Sequence, residues 1–162
     1  MSQDSVRYSS LQIALHWGIF LLFALNYVVS DGMGRALRTK LEGGVPDQFA
    51  ALIHPPVGLA ILALAVIRIL VRLRQGAPEL PPAKPLMNQV AKLGHLALYL
   101  LLVAVPLSGI AAWGLGIRDA GEVHEVLVNL AVLVIVGHAA AAIYHHFVLK
   151  DGLMDRIRPA RR

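Results

Sequence analysis

The sequence has no cysteine and few charged residues, and both absences limit what the chain can be. Of its 162 residues, 15% are charged and 57% are hydrophobic. Without cysteine there can be no disulfide, no thiolate ligand, no iron–sulfur cluster and no covalent c-type haem attachment. So apolar a composition excludes intrinsic disorder and disfavours an ordinary soluble domain.

Charged residues are missing altogether from four long runs of the chain. No Asp, Glu, Lys or Arg occurs in Tyr8–Ser30, Gln48–Ile67, Leu93–Ile117 or Val126–Leu149. Each run holds about 20 to 25 residues, enough to cross ~30 Å of hydrocarbon as a helix. The polar residues in these runs are isolated and do not form the polar stripe that a helix of a soluble bundle needs. We therefore predict an all-α membrane protein.

The predicted architecture is a four-helix transmembrane bundle with up-down-up-down topology, forming a single domain over residues 1–162. The helices are expected at about residues 10–30, 50–73, 88–115 and 122–149. The first run lacks a strongly basic start and an A-x-A-like cleavage site, so we expect it to be a membrane span and not a cleaved signal peptide.

Lysine and arginine placement predicts the orientation of the bundle. Most of these residues lie in the amino tail, in the second loop with its flanks, and in the carboxyl tail, whereas the opposite side has Arg35, Arg38, Lys40 and Arg118. The positive-inside rule then places both termini in the cytoplasm. The basic carboxyl tail is expected to rest against anionic lipid. We therefore expect the lipid bilayer, and no nucleic acid, among the partners.

Histidine is the residue type that carries the predicted chemistry. All seven histidines lie in or at the ends of the predicted spans: His16, His54, His95, His124, His138, His145 and His146. Ionisable residues are costly in a membrane and are functional candidates there by default. A haem iron with two axial imidazoles uses neutral histidine in this way. The absence of Asp and Glu deep in the spans disfavours a di-iron carboxylate bundle and a carboxylate proton relay.

Helical geometry narrows the choice of iron ligands. His124 and His138 lie on the last predicted helix, within about 40° of the same face and ~21 Å apart along the axis. One helix can therefore hold two stacked haems. Up-down topology places His54 level with His124 on the outer side, and His16 nearest to His138 on the inner side. The predicted iron ligand pairs are His54–His124 and His16–His138.

The other candidate residues have more than one interpretation. His95 and His145 fit either a quinone pocket beside the inner haem or hydrogen bonds to haem propionates and neighbouring backbone. An alternative ligand pairing joins His95 to His138 or to His145. Trp17 either lines a ligand site next to His16 or belongs to the interfacial aromatic belt. No residue is assigned a catalytic role.

Several sequence segments resemble the bacterial cytochrome b561 family of small four-helix di-haem proteins. They are R-Y-S-S-L-Q from Arg7, I-A-L-H-W through His16, V-I-R-I-L-V-R-L around Arg68, L-G-H-L-A-L-Y-L-L-L around His95, and G-H-A-A-A-A-I-Y-H-H from Gly137. The last segment is the most specific, and together the segments are spread over nearly the whole chain. The resemblance implies a multi-pass protein of the bacterial inner membrane.

The resemblance also implies cofactors and an activity. It implies two b-type haems on residues matching His16, His54, His124 and His138. It further implies a superoxide:ubiquinone oxidoreductase, which would oxidise superoxide at the outer haem and reduce ubiquinone near the inner one. One alternative is a cytochrome b subunit that passes electrons between quinone and a soluble redox partner, such as a hydrogenase or formate dehydrogenase. Another is a haem-free, histidine-lined ion or metal carrier.

Overall fold

Helices are the regular secondary structure of the part of the chain that the structure describes. The structure is a computed structural model, and it describes residues 7–78 and 85–158. Its elements in chain order are helix α1 (Ser10–Val28), helix α2 (Met33–Leu41), helix α3 (Phe49–Gln75), helix α4 (Pro85–Gly109), a π-helical turn (Ile110–Gly114), helix α5 (Arg118–Tyr144), a second π-helical turn (His145–Leu149) and a 3-10 turn (Leu153–Arg156).

Four of these helical segments are long and apolar enough to cross a membrane. They are Ser10–Val28, Phe49–Gln75, Leu86–Gly114 and Arg118–Leu149. Within the most apolar window of each segment, only 6 to 28% of the residues are buried inside the protein. Most of the apolar surface therefore faces outward, where hydrocarbon would cover it. The predicted fold class, an all-α transmembrane bundle, is confirmed.

The described parts of both tails and the end of α3 lie together at one end of the bundle, called here the termini end. A capping box between Ser9 and Gln12 starts α1, because each side chain satisfies a backbone N–H that the helix leaves unpaired. The same two side chains reach the end of α3, where Ser9 Oγ donates to Gln75 Oε1 over 2.7 Å and Gln12 Nε2 donates to the Gly76 carbonyl over 3.0 Å. The Tyr8 N–H donates to the Arg156 carbonyl over 3.2 Å.

The opposite end, called here the α2 end, carries a helix that the sequence analysis did not predict. Helix α2 follows Gly32, whose φ of 84° lies in the left-handed region that favours glycine. Ala36 is fully buried. A Cβ at Gly121 of α5 would lie only 3.0 Å from Leu37 Cδ2 of α2. The absence of a side chain at Gly121 therefore lets α2 pack closely against α5. Lys40 lies over the Trp113 ring, 4.5 Å from its centroid.

An apolar layer separates the two ends of the bundle. Leu101 and Val105 of α4 pack with Ala131 of α5, and Phe23, Leu127, Val128 and Val134 close around them. Ala131 is 3% exposed and stands midway in sequence between His124 and His138. Because α5 rises about 1.5 Å per residue, each histidine lies about 10 Å from Ala131 along the helix axis. The layer therefore divides two histidine sites from each other.

Candidate haem sites

At the α2 end, His54 of α3 faces His124 of α5. Their ring centroids are 6.0 Å apart and the rings are nearly perpendicular, at 86°. His54 Nδ1 lies 3.2 Å from the Asn26 carbonyl oxygen of α1, and His124 Nδ1 lies 2.9 Å from the Val105 carbonyl oxygen of α4. A carbonyl only accepts hydrogen bonds, so both Nδ1 atoms carry the hydrogen. Each Nε2 then keeps its lone pair free for a metal ion.

His124 owes its position to the end of α4. A Cβ at Gly109 would lie 3.2 Å from His124 Cε1 and 3.4 Å from its Nδ1, so a side chain there would require the ring to shift by a few tenths of an ångström. Ser108 Oγ donates to the Val105 carbonyl over 2.8 Å and lies 3.0 Å from His124 Nδ1, whose N–H it can accept. A polar contact of this kind orients a metal-ligating imidazole.

Asn26 is a buried polar residue beside His54. It is 8% exposed, and its Oδ1 has no hydrogen-bond partner among the described residues. A buried amide oxygen without a partner is costly in an apolar surrounding. This orphaned acceptor next to an imidazole fits a site that takes up a further group.

At the termini end, three histidines converge from three helices. The ring centroids of His16 on α1 and His138 on α5 are 6.3 Å apart, at 68°. His95 on α4 is closer to His138, at 5.3 Å and 75°. His95 Nδ1 lies 2.7 Å from the Ala91 carbonyl oxygen, one turn earlier in its own helix. The Nε2 of His95 is therefore also free to accept a hydrogen bond or a ligand.

The ring separations can be compared with those of a bis-imidazole iron site. Metal–imidazole bonds are about 2 Å long, and with the ring nitrogen roughly 1 Å from the ring centre, opposed ligands have centroids about 6 Å apart. The pairs His54–His124 and His16–His138 match this value, whereas His95–His138 is too close for an ion between the rings. No cluster of three or more histidine or acidic side chains among residues 7–78 and 85–158 is arranged to hold a bare metal ion. Paired imidazoles suit haem, since the porphyrin supplies the other four ligands.

Arg68 of α3 also lies at the termini end. Its Nη1 donates to the Gln12 carbonyl over 3.0 Å, one turn before His16. Its guanidinium also lies 5.9 Å from the Tyr99 ring centroid, and Tyr99 follows His95 by one turn. The charge of Arg68 is near enough to act on both His16 and His138. From the sequence alone, Arg68, Arg72 and Arg74 are expected to act mainly as charge anchors at the end of a span, although one of them could pair with a haem propionate.

Two other predicted site residues contact the carboxyl tail. Trp17 Nε1 donates to the Ile157 carbonyl over 3.1 Å, and the Trp17 ring lies edge-on to His16 with centroids 5.2 Å apart. His145 Nδ1 lies 2.5 Å from Asp151 Oδ2. Burial by itself would raise the pKa of Asp151, but hydrogen bonds from His145 and from the Leu153 N–H outweigh it and hold that pKa below the usual 3.8.

A cleft of about 580 Å³ also opens at the termini end. Its lining combines the segment before α1, the first turn of α1 and the end of α3: Arg7, Tyr8, Ser9, Ser10, Gln12, Ile13, Gln75, Gly76, Ala77 and Pro78. The size lies within the range of small-molecule sites. Gln12 joins this cleft to the neighbourhood of His16.

Paired histidines at two depths of an apolar helical bundle fit a membrane-embedded redox protein, and the comparisons with known proteins agree with that class. Residues 7–160 match the family described as prokaryotic cytochrome b561, and the chain belongs to this family. Cytochrome b562 of Cereibacter sphaeroides is 38% identical over 95% of this chain and 96% of its own length.

Two further relatives align over nearly their whole length. The probable superoxide oxidase CybB of Yersinia pestis is 34% identical, over 96% of this chain and 98% of its own. Cytochrome b561 homolog 1 of Escherichia coli is 27% identical, over 96% of this chain and 99% of its own. The protein is therefore a multi-pass bacterial membrane protein of electron transfer, and its family implies b-type haem. The predicted family membership is confirmed.

Proposed function

We propose that this protein is a di-haem superoxide:ubiquinone oxidoreductase. The observation that supports it most is the presence of two imidazole pairs at two depths of α5, with ring centroids 6.0 and 6.3 Å apart. The similarity to a probable superoxide oxidase adds support for the reaction. The whole of residues 1–162 would then act as one electron-transfer domain.

Four histidines would hold the two haems. His54 and His124 would bind one haem at the α2 end, and His16 and His138 would bind the other at the termini end. The free Nε2 atoms inferred for His54 and His124 support the first assignment. The 5.3 Å separation of His95 and His138 supports leaving His95 out of the second. Each haem, when bound, would supply a one-electron redox centre, while the protein sets its position and electrostatics.

Superoxide would react at the α2 end, on the periplasmic side. Both termini would be cytoplasmic by the positive-inside rule. Helix α2 has Arg35, Arg38 and Lys40 and no acidic residue within its nine residues. Helix α2 packs against α5 at Gly121, one turn before His124. A local group of cations can attract an anion even though the loops around it are acidic.

Ubiquinone would react at the termini end. His95 Nε2 and the His145–Asp151 pair are the polar groups there that could bind a quinone oxygen or deliver protons. The overall reaction takes one electron from each of two superoxide anions, releases two dioxygen molecules, and adds two electrons and two protons to one ubiquinone.

The test is turnover of the purified protein with no partner present. Superoxide generated enzymatically should drive the reduction of a water-soluble ubiquinone, and added superoxide dismutase should abolish it. His54→Ala should lose this turnover, whereas His146→Ala, which changes a histidine outside both pairs, should keep it.

Two other outcomes would overturn the proposal. Reduction of the haems only by a soluble protein donor would identify a cytochrome b subunit. A purified protein without a b-type visible spectrum would instead indicate a histidine-lined carrier.

A further inference from the structure

We infer that Arg68 is the electrostatic anchor of the haem at the termini end, pairing with a haem propionate and raising the reduction potential of that haem. The inference rests on the proposed bis-histidine haem sites. It concerns a residue of this chain that takes no part in ligating iron.

The first observation is that Arg68 is a half-buried cation inside a predicted membrane span. Within residues 7–78 and 85–158, the ion pairs found are His145–Asp151 and Arg158–Asp155. Arg68 therefore has no carboxylate partner there, and its neighbours are the Gln12 carbonyl and the Tyr99 ring. An intramembrane cation is costly unless an anion accompanies it. A guanidinium is suited to a carboxylate of that kind.

The second observation is where Arg68 is held. The hydrogen bond to the Gln12 carbonyl fixes it one turn from His16, and the stacking on Tyr99 fixes it one turn from His95. At the α2 end, by contrast, the buried polar neighbour of His54 is the neutral side chain of Asn26. A reduced haem carries one more negative charge than an oxidised one. A fixed positive charge nearby therefore stabilises the reduced form and raises the reduction potential.

Arg72 offers a matched control for Arg68. Both are half-buried on α3 and both lie over Tyr99, with Arg72 5.5 Å from the ring centroid. Arg72 is four residues, or about 6 Å, further towards the termini end of the helix. Replacing Arg72 by a neutral residue removes one positive charge from the same helix as replacing Arg68, but at a greater distance from His16.

The experiment is a spectroelectrochemical titration of the purified haem-loaded protein. Arg68→Gln, which keeps an amide donor for the Gln12 carbonyl, should lower the potential of the haem that remains in the His54→Ala protein. We expect this potential to fall by at least about 59 mV, which is a tenfold change in the one-electron reduction equilibrium. Arg68→Lys should retain most of the wild-type potential, and Arg72→Gln should change it less than Arg68→Gln.

Several results would overturn the inference. One is an equal shift in the potential of the other haem, measured in the His16→Ala protein. The others are an unchanged potential in Arg68→Gln, and a change of potential in Arg72→Gln as large as that in Arg68→Gln. Arg68→Met is a second neutral variant if Arg68→Gln does not fold. A wild-type protein with fewer than two b-type haems would refute the proposed function itself, and is thereby distinguished from a failure of the inference alone.

Discussion

The two histidine pairs are similar in spacing and different in how they are held. At the α2 end, backbone carbonyls of α1 and α4 orient the rings of His54 and His124. At the termini end, the described contacts of the His16 and His138 rings are with other rings, and Arg68 and His95 lie around them. Neutral hydrogen bonds therefore fix one site, while a cation and a third imidazole surround the other. This difference favours an energetic asymmetry between two sites of the same ligand chemistry.

The largest expected effect separates the two pairs completely. His124→Ala or His54→Ala should remove only the haem of the α2 end, and His16→Ala or His138→Ala only that of the termini end. Each variant should lose about half of the b-type absorbance, because each iron needs both of its axial imidazoles. Pyridine haemochrome analysis per polypeptide measures this. Loss of both haems from a folded single variant would contradict the pairing.

A smaller effect is expected from the glycine that admits His124. Gly109→Val should push the His124 ring away, because even a Cβ would lie 3.2 Å from Cε1. We expect roughly tenfold weaker haem retention at the α2 end, in the range seen when ligand orientation is disturbed. Gly137→Val is the control on α5, since a Cβ there meets nothing within 4 Å. Haem loss during dilution compares the two variants, and equal loss would show that the Gly109 contact is unimportant.

His95 tests whether the third histidine at the termini end is a ligand. His95→Ala should keep both haems, because the His95–His138 separation of 5.3 Å is too short to hold iron between the rings. It should instead raise the KM for ubiquinone about tenfold, the effect of removing one hydrogen bond to a buried polar group. Loss of the haem at the termini end would show that His95, and not His16, is the partner of His138.

The smallest effect is expected at the carboxyl tail. The pKa of Asp151 is lower in the folded protein than its usual 3.8. Its contact with His145 therefore contributes stability that is present above that value and is lost as the pH falls through the lower, folded value. Asp151→Asn should loosen the tail at neutral pH as well. Trp17 fluorescence reports this, because the indole N–H donates to the Ile157 carbonyl, and a Trp113→Phe background isolates the Trp17 signal. An unchanged spectrum would contradict the attachment.

Much of the bundle follows from local sequence. The four spans can be predicted from the sequence because hydrocarbon excludes charged residues over a fixed thickness. The depth of each histidine then follows from the rise per residue of the helix. The 14-residue interval between His124 and His138 alone places two candidate sites on one face of α5. Helix α2 escaped prediction because it is only nine residues long and three of them are basic. Tertiary contacts, such as that between Leu37 and Gly121, stabilise so short a helix.

The membrane class, the number of spans and the levels of the imidazoles follow from the amino-acid sequence, because each of these depends on residues that are near one another in the chain. The folded arrangement was needed to show that Val105 and Asn26 supply the carbonyls for the α2-end pair, that Gly109 makes room for His124, and that Arg68 reaches Gln12 and Tyr99. Those contacts join different helices, and helix periodicity cannot specify which faces of separate helices meet.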